Sequence, residues 1–247
     1  MSIRTKFLTL SVVLLIPTIA YNQERKQSLE EEKAEKQAAA VEQIGRALKI
    51  AEEGRSSKSP ELLVAAASLL RKAPPVSQGK DATFEREDES GKPVKEPEKL
   101  EMATPAELSD KFLDEAKALA SELEKAKKLT AEQAKAVVEL ADLVAKQPLE
   151  RGAFGGPKYY RDVITPRGYS RVSVPFVKGW PGAITVRSVA PVRVTVKYGT
   201  TTVASFQGTV VQITWMAGGP GKAMTQNFSI SIQNLAPGTN AYQLITN

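Results

Sequence analysis

Neither cysteine nor histidine occurs among the 247 residues of this sequence. Their absence excludes disulfide bonds, Ser-His-Asp and Cys-His nucleophiles, zinc sites built on thiolate or imidazole, iron–sulfur clusters and histidine-ligated haem. Aromatic residues are also few, at 6% of the chain, so we expect no stacking platform for nucleic acid. The rest of the composition, 42% hydrophobic and 25% charged, is that of a globular protein.

Long hydrophobic runs are scarce, and the one at the N-terminus is short. Residues 7–19 are mostly apolar and follow Arg4 and Lys6, but this run falls short of the roughly 20 residues that span a bilayer. A basic start, a short apolar core and small residues at its end predict a signal peptide at 1–20, cleaved near Ala20. An uncleaved anchor is the alternative. We therefore expect a protein that is secreted or periplasmic, with no membrane span after cleavage.

Acidic residues almost disappear from the C-terminal part of the chain. Residues 151–247 carry ten basic residues and a single acidic one, Asp162, which gives a net charge of +9. Residues 21–150 have a net charge of −5. This division predicts two domains after the signal peptide, a helical domain at 21–149 and a β-sandwich domain at 150–247.

Four helices are predicted in the first domain. Apolar residues recur at helical spacing within 23–53, and Gly54 is a stop signal for this helix. The other three helices begin at the N-cap residues Ser59, Thr104 and Thr130. Two antiparallel hairpins would form a bundle, whose apolar stripes either pack on one another or face a partner helix.

Residues 76–103 separate the two hairpins and lose all periodicity. They mix charges of both signs and contain a single aromatic residue and two prolines. This composition predicts a solvated, poorly ordered loop. We therefore expect its removal to leave the fold intact.

The second domain has the two-residue period of strands that are buried on one face. Apolar and polar residues alternate through 172–176, 184–186, 192–196 and 228–232, with glycine and proline breaks between them, one of which is Gln207-Gly208. About eight strands are predicted, arranged as an antiparallel, jelly-roll-like β-sandwich. The predicted fold class is therefore α+β, with helical hairpins followed by a sandwich.

Three segments of the second domain carry a family resemblance. The junction RGAFGGP at 151–157 and the endings at 228–234 and 242–247 resemble the bacterial pre-peptidase C-terminal (PPC-like) sandwich, in particular uncharacterised envelope proteins in which it follows a helical hairpin. The resemblance implies a non-catalytic accessory domain. Members of that family can hold calcium on an acidic Asp-x-Asp strand, but here the corresponding strand, 192–197, carries Arg193 and Lys197. Calcium needs several oxygen ligands, so we expect neither a metal nor a cofactor.

No catalytic residue is predicted. Paired-carboxylate hydrolysis needs two acids in one cleft, and the acids of the helical part lie beside lysines as solvated faces do. Two Ser-Lys pairs, Ser173 with Lys178 and Ser57 with Lys58, are formally possible nucleophiles, but nothing around them supports the role. The glycine-rich segment 218–222 lacks the spacing of a phosphate loop. We therefore do not expect an enzyme.

Basic side chains form the strongest functional pattern. Arg171, Arg187, Arg193 and Lys197 alternate with apolar residues and are predicted on one outward sheet face. Trp180, in a Gly-Trp-Pro-Gly turn, would stack on a sugar ring or cover the rim of the sandwich. The face is either solvated without a ligand, a binding surface for an anionic polymer, or a partner for acidic helices.

These patterns predict a non-catalytic exported envelope protein that acts as a protein-interaction or scaffolding module. The alternative is a binder of an anionic envelope glycan or polymer through the basic face. Its partner would then be an envelope protein or an anionic glycan, and not nucleic acid. The patterns specify neither the identity of that partner nor the oligomeric state.

Overall fold

A computed structural model describes residues 16–80, 82–95, 102–148, 156–218 and 225–247, with side chains of the first helix described from residue 32 onward. Among these residues, four helices are found, α1 (Ile16–Ser56), α2 (Pro60–Arg71), α3 (Pro105–Lys125) and α4 (Ala131–Ala145). The predicted signal peptide falls largely outside the described residues. Within the described part, no helix combines the length and apolarity that crossing a bilayer requires.

The predicted helix starts are confirmed by capping contacts. The Thr104 hydroxyl accepts a hydrogen bond from the Glu107 backbone N–H at 3.3 Å, and the Thr130 hydroxyl accepts one from Gln133 at 3.2 Å. Both caps are reciprocal capping boxes. The helix stop predicted at Gly54 is wrong, because α1 continues to Ser56. A Cβ atom at residue 54 would lie 3.1 Å from the Leu62 side chain, so Gly54 allows close packing against α2.

Each helix packs against the next, so the predicted bundle forms. The chain of contacts runs from α1 to α2, from α2 to α3 and from α3 to α4. The apolar stripes supply the core of this bundle, which includes the fully buried residues Val41, Ile44, Leu63, Phe112 and Ala116. The stripes are therefore packing surfaces within the chain.

Eight strands are described. They are β1 (Ser77–Gln78), β2 (Thr83–Glu87), β3 (Lys158–Ile164), β4 (Tyr169–Val177), β5 (Pro181–Tyr198), β6 (Thr201–Met216), β7 (Thr225–Asn234) and β8 (Asn240–Thr246). Six of the described strands come from the region predicted to supply about eight. The break predicted at Gln207-Gly208 is wrong, because β6 continues through it opposite an irregularity in β5.

Two strands come from the segment that was predicted to be a loop. β1 pairs in parallel with β3, and β2 pairs antiparallel with β4 from Thr83 opposite Ser173 to Glu87 opposite Tyr169. The prediction of a poorly ordered loop at 76–103 is therefore wrong for these residues. Phe84 and Arg86 alternate with exposed or half-buried polar residues, and charged side chains are common on edge strands because they discourage pairing with other chains.

The strands form a mixed sheet in the order β1-β3-β8-β5-β7-β4-β2, with β6 on the other edge of β5. β5 pairs with β8 up to Ser188 and with β7 from Val192, and the ladder is irregular between Arg187 and Val192. The sheet therefore curls at this point, and its inner face encloses one apolar core drawn from β3 to β8. The α+β fold class with a sandwich-like β part is confirmed.

Helix α1 covers one part of the outer face of this curled sheet. Ala183 and Ile245 belong to the same apolar core as the helices. The Thr185 hydroxyl donates a hydrogen bond to the Val41 carbonyl at 3.1 Å, and a Cβ at Gly45 would lie only 2.5 Å from that hydroxyl. The helices and the sheet thus share an interface in which α1 approaches β5 closely.

Candidate functional site

The part of the outer sheet face beyond the helices is polar, and we call it the open face. On β4, β5 and β7 its side chains alternate with buried residues of the inner core, and the face continues onto the neighbouring strands β2 and β6. They are Glu85 and Glu87 of β2, Tyr169, Arg171 and Ser173 of β4, Ser229, Ser231 and Gln233 of β7, Arg193, Thr195 and Lys197 of β5, and Ser205 and Gln207 of β6.

One row of four planar side chains crosses the open face. Tyr169 lies opposite Gln233, Gln233 opposite Arg193, and Arg193 opposite Gln207. The Gln233 amide donates to the Tyr169 hydroxyl at 2.8 Å, and the Arg193 guanidinium donates to the Gln233 carbonyl at 3.3 Å. With the amide oxygen of Gln207 turned toward Arg193, this oxygen accepts hydrogen bonds from Arg193 Nε at 2.9 Å and from Arg193 Nη2 at 2.7 Å. The guanidinium is therefore held between two amides.

The charges on the open face are unevenly compensated. Arg171 donates to Glu87 at 2.7 Å, so this cation is paired. Arg193 and Lys197 are exposed and form no ion pair with any described residue. The positive charge of this face is therefore concentrated on β5, as the alternation of that strand predicts.

Arg187 does not join the open face, although it points to the same side of β5 as Arg193. The end of α1 lies over this part of the sheet, and the half-buried Arg187 lines a cleft with Leu48, Arg55 and Phe112. Burial, together with the nearby Arg55 cation, lowers the pKa of the Arg187 guanidinium. The expectation of one continuous basic face is wrong at this residue, because Arg187 lies in the cleft beside α1 and α3.

Trp180 also lies apart from the open face. It occupies the turn between β4 and β5 and lines a pocket of about 420 Å³ together with Lys33 of α1 and Lys158 of β3. These two lysines are far from Trp180 in the chain, so no sequence pattern could have associated them with it. We call this site the Trp180 pocket.

Asp162, the single acid of the C-terminal region, is buried in the sandwich. Its carboxylate accepts hydrogen bonds from Arg86 at 2.8 and 3.0 Å and from the Ser170 hydroxyl at 2.9 Å. Burial, followed by the Asp162 charge, raises the pKa of the neighbouring Tyr242 hydroxyl well above its usual range. Within the described part of the chain, no group of acidic side chains suited to a metal ion is found.

Comparison with known proteins assigns no family. No family model and no curated protein matches the chain. Among solved structures, a CBM4 carbohydrate-binding module is 13% identical with a TM-score of 0.25 and covers 36% of this chain and 84% of its own. A GH115 4-O-methyl-α-glucuronidase with specificity for decorated arabinogalactans is 14% identical with a TM-score of 0.26, covering 57% of this chain and 25% of its own.

A variant of a family 29 carbohydrate-binding module is also similar, at 14% identity and a TM-score of 0.21, over 36% of this chain and 68% of that chain. Similarity at this level gives no ground for transferring a function. The resemblance to the PPC-like sandwich stays a prediction. What the chain binds has to be inferred from its own surface.

Proposed function

We propose that this protein is a non-catalytic binding protein that holds an anionic glycan on the open face. The observation that carries the proposal is the hydrogen-bonded row from Tyr169 through Gln233 and Arg193 to Gln207. Amide and guanidinium groups held in place along such a row offer donors and acceptors to sugar hydroxyls. Because their partners already orient them, less conformational entropy is lost when a glycan binds.

The exposed cations of β5 supply the preference for negative charge. A guanidinium can bind a carboxylate through two parallel hydrogen bonds, and Lys197 lies on the same strand as Arg193, on the same face. Thr195, Ser205 and Ser231 supply hydroxyls in the row between them. The signal-peptide pattern and the PPC-like resemblance support an exported envelope protein as the setting for this role.

Binding of polygalacturonate to the full chain tests the proposal. Fully methyl-esterified polygalacturonate is the matched neutral polymer, because it has the same backbone without the carboxylates. We expect the acidic polymer to bind more tightly, and its binding to weaken between roughly 50 and 300 mM salt as screening increases. Isothermal titration calorimetry would measure both affinities.

The double substitution R193Q/K197Q should weaken binding of polygalacturonate by about tenfold or more. The matched control is R161Q/K146Q, which removes the same charge from the exposed side chains of Arg161 and Lys146 outside the open face. Equal affinity of the two double variants, or equal binding of the acidic and the neutral polymer, would refute the proposal.

Protein interaction is the second candidate function, and one feature of α4 favours it. Leu140 and Leu143 are 46% and 62% exposed on the side of this helix that faces away from the bundle. Sedimentation velocity of the full chain and of the L140E/L143E variant tests self-association through this surface. A concentration-dependent dimer that the double substitution abolishes would support this role, and a monomer at all concentrations would count against it.

A further inference from the structure

Strand β6 forms one edge of the sheet, and part of this edge is open. Among the described strands, β6 pairs only with β5. Helix α1 contacts β6 at Thr209 and Gln212, which leaves residues 201–207 beyond the helix. The backbone of 201–207 makes no hydrogen bond to a described residue outside β5. We call 201–207 the β6 edge, and its outward N–H and C=O groups can pair with another strand.

Apolar side chains are exposed along the β6 edge. Val203 is 39% exposed and Phe206 is 56% exposed. Phe206 lies opposite Val194, a fully buried residue of the inner core, so it lies on the same side of the sheet as that core. Exposed apolar residues beside unpaired backbone groups are the features through which one strand binds another.

The β6 edge differs in charge from the other described edges of the sheet. None of the 16 residues of β6 is charged. At the opposite edge, β2 has three charged residues among its five, Glu85, Arg86 and Glu87, and β1 is only two residues long. Charged side chains and short length are the devices that prevent sheets from joining at their edges. The chain therefore protects the β1 and β2 edges and leaves the β6 edge unprotected.

We infer that the β6 edge binds the β6 edge of a second copy of this chain, antiparallel across a two-fold axis perpendicular to the sheet. An uncharged strand places no like charges opposite each other when it pairs with its own copy. The contact uses the same surface on both copies, so it closes as a dimer. The protected β1 and β2 edges then end the joined sheet and prevent further growth.

The nearest cations of the open face lie one strand away from the contact, at Arg193 and Lys197 of β5. Neighbouring strands are about 4.8 Å apart, so the β5 strands of the two copies would lie roughly 14 Å apart. This distance exceeds the screening length of about 8 Å at physiological salt. Repulsion between these cations is therefore weak at that salt concentration and stronger at low salt. We expect the dimer to become tighter as salt increases, whereas polygalacturonate binding should weaken.

Sedimentation velocity of the full chain between about 5 and 500 μM tests the inference. One short strand from each copy buries less than about 1,200 Å², so we expect a dissociation constant on the order of 10–100 μM. Amide hydrogen exchange at both ends of this range locates the contact, because outward amides of 201–207 should exchange more slowly in the dimer. The inference is overturned by a chain that stays monomeric, which would favour an extended segment of another protein as the occupant. A dimer without protection at 201–207, or one that weakens with salt, would also overturn it.

The substitution F206K places a cation on the β6 edge of both copies, so it should weaken the dimer at least about tenfold. V203K is a second variant of the same kind, and far-UV circular dichroism shows whether each variant is folded. The matched control is V189K, because Val189 is 74% exposed and lies outside β6. Association of the folded F206K and V203K variants that equals that of V189K would overturn the inference. Loss of the dimer in L140E/L143E would assign it to α4 and overturn the inference as well.

The two-fold axis places the open faces of both copies on the same side of the joined sheet. A long anionic polymer can then contact both faces at once, which raises its overall affinity. This consequence rests on the proposed function, whereas the dimer does not. A chain that dimerises through 201–207 without binding polygalacturonate would refute the proposed function alone, and a monomer that binds the polymer would refute the dimer alone.

Discussion

Replacement of Arg86 by methionine tests whether the segment at 83–87 is an integral strand of the fold. The Arg86 guanidinium lies 2.8 Å from the Asp162 carboxylate, and the two side chains are only 17% and 4% exposed. R86M would leave the carboxylate buried without this cation. Breaking a buried ion pair from one side costs about 3–5 kcal/mol, so we expect R86M to lower the free energy of unfolding by about that amount.

R171M is the matched control for R86M. Arg171 also joins β2 to β4, through an ion pair with Glu87, but these side chains are 45% and 25% exposed. An exposed pair contributes about 0–1 kcal/mol, so R171M should have little effect. Urea denaturation followed by tryptophan fluorescence measures both variants. If R86M and R171M destabilise the chain equally, the assignment of a buried pair to Arg86 and Asp162 is refuted.

A double-mutant cycle sharpens this test. R86M/D162N removes both charges, so it leaves no uncompensated ion in the interior and should be more stable than additivity of the single variants predicts. Strict additivity would mean that the two side chains do not interact. Deletion of residues 76–103 would remove Arg86 as well as β2, and we now expect it to destabilise the fold.

Three further substitutions test the interior and the helices. The pKa of Tyr242 is raised in the folded chain, so its contribution to stability is complete below about pH 10 and is lost as the pH rises further. In urea titrations between roughly pH 9 and 11, Y242F should therefore lose less stability than the unsubstituted chain. An identical loss would contradict the raised pKa. G45A should destabilise the protein in the same urea assay. Crowding of the added methyl group against the Thr185 hydroxyl costs about 1–3 kcal/mol, which outweighs a gain in helix propensity of about 1 kcal/mol. A stabilised variant would show that α1 can move away from β5. T104A should cost about 1 kcal/mol through loss of the cap, seen as a lower Tm, and an unchanged Tm would mean that the capping box is not formed.

Local patterns predicted the parts of the fold that depend on neighbouring residues in the chain. An N-cap hydroxyl satisfies a backbone N–H two or three residues later, so Thr104 and Thr130 could be identified from the sequence. The two-residue alternation of strands shows which residues face one side, and Val172, Val194 and Ile230 are buried as expected. The same alternation predicted that the basic residues of β5 lie on its outer side.

The strand β2 was missed because its reason for folding is not local. Thr83 to Glu87 has few apolar residues, and its inward-facing cation would be costly to bury by itself. Arg86 is stabilised there by Asp162, which lies on β3. Without knowledge of the contact with Asp162, the charged sequence of 83–87 predicts a solvated loop.

Local sequence patterns were sufficient to predict the four helices, three N-caps, the alternation of the C-terminal strands, and the side of each strand on which its basic residues lie. Packing between distant segments places Arg187 in the cleft beside α1 while Arg193 and Lys197 stay exposed, and it brings Lys33 and Lys158 to Trp180 in one pocket. Hydrogen bonds and apolar periodicity within one element depend on residues that are near one another in the chain. What covers a face is set by packing between elements that are distant in the chain.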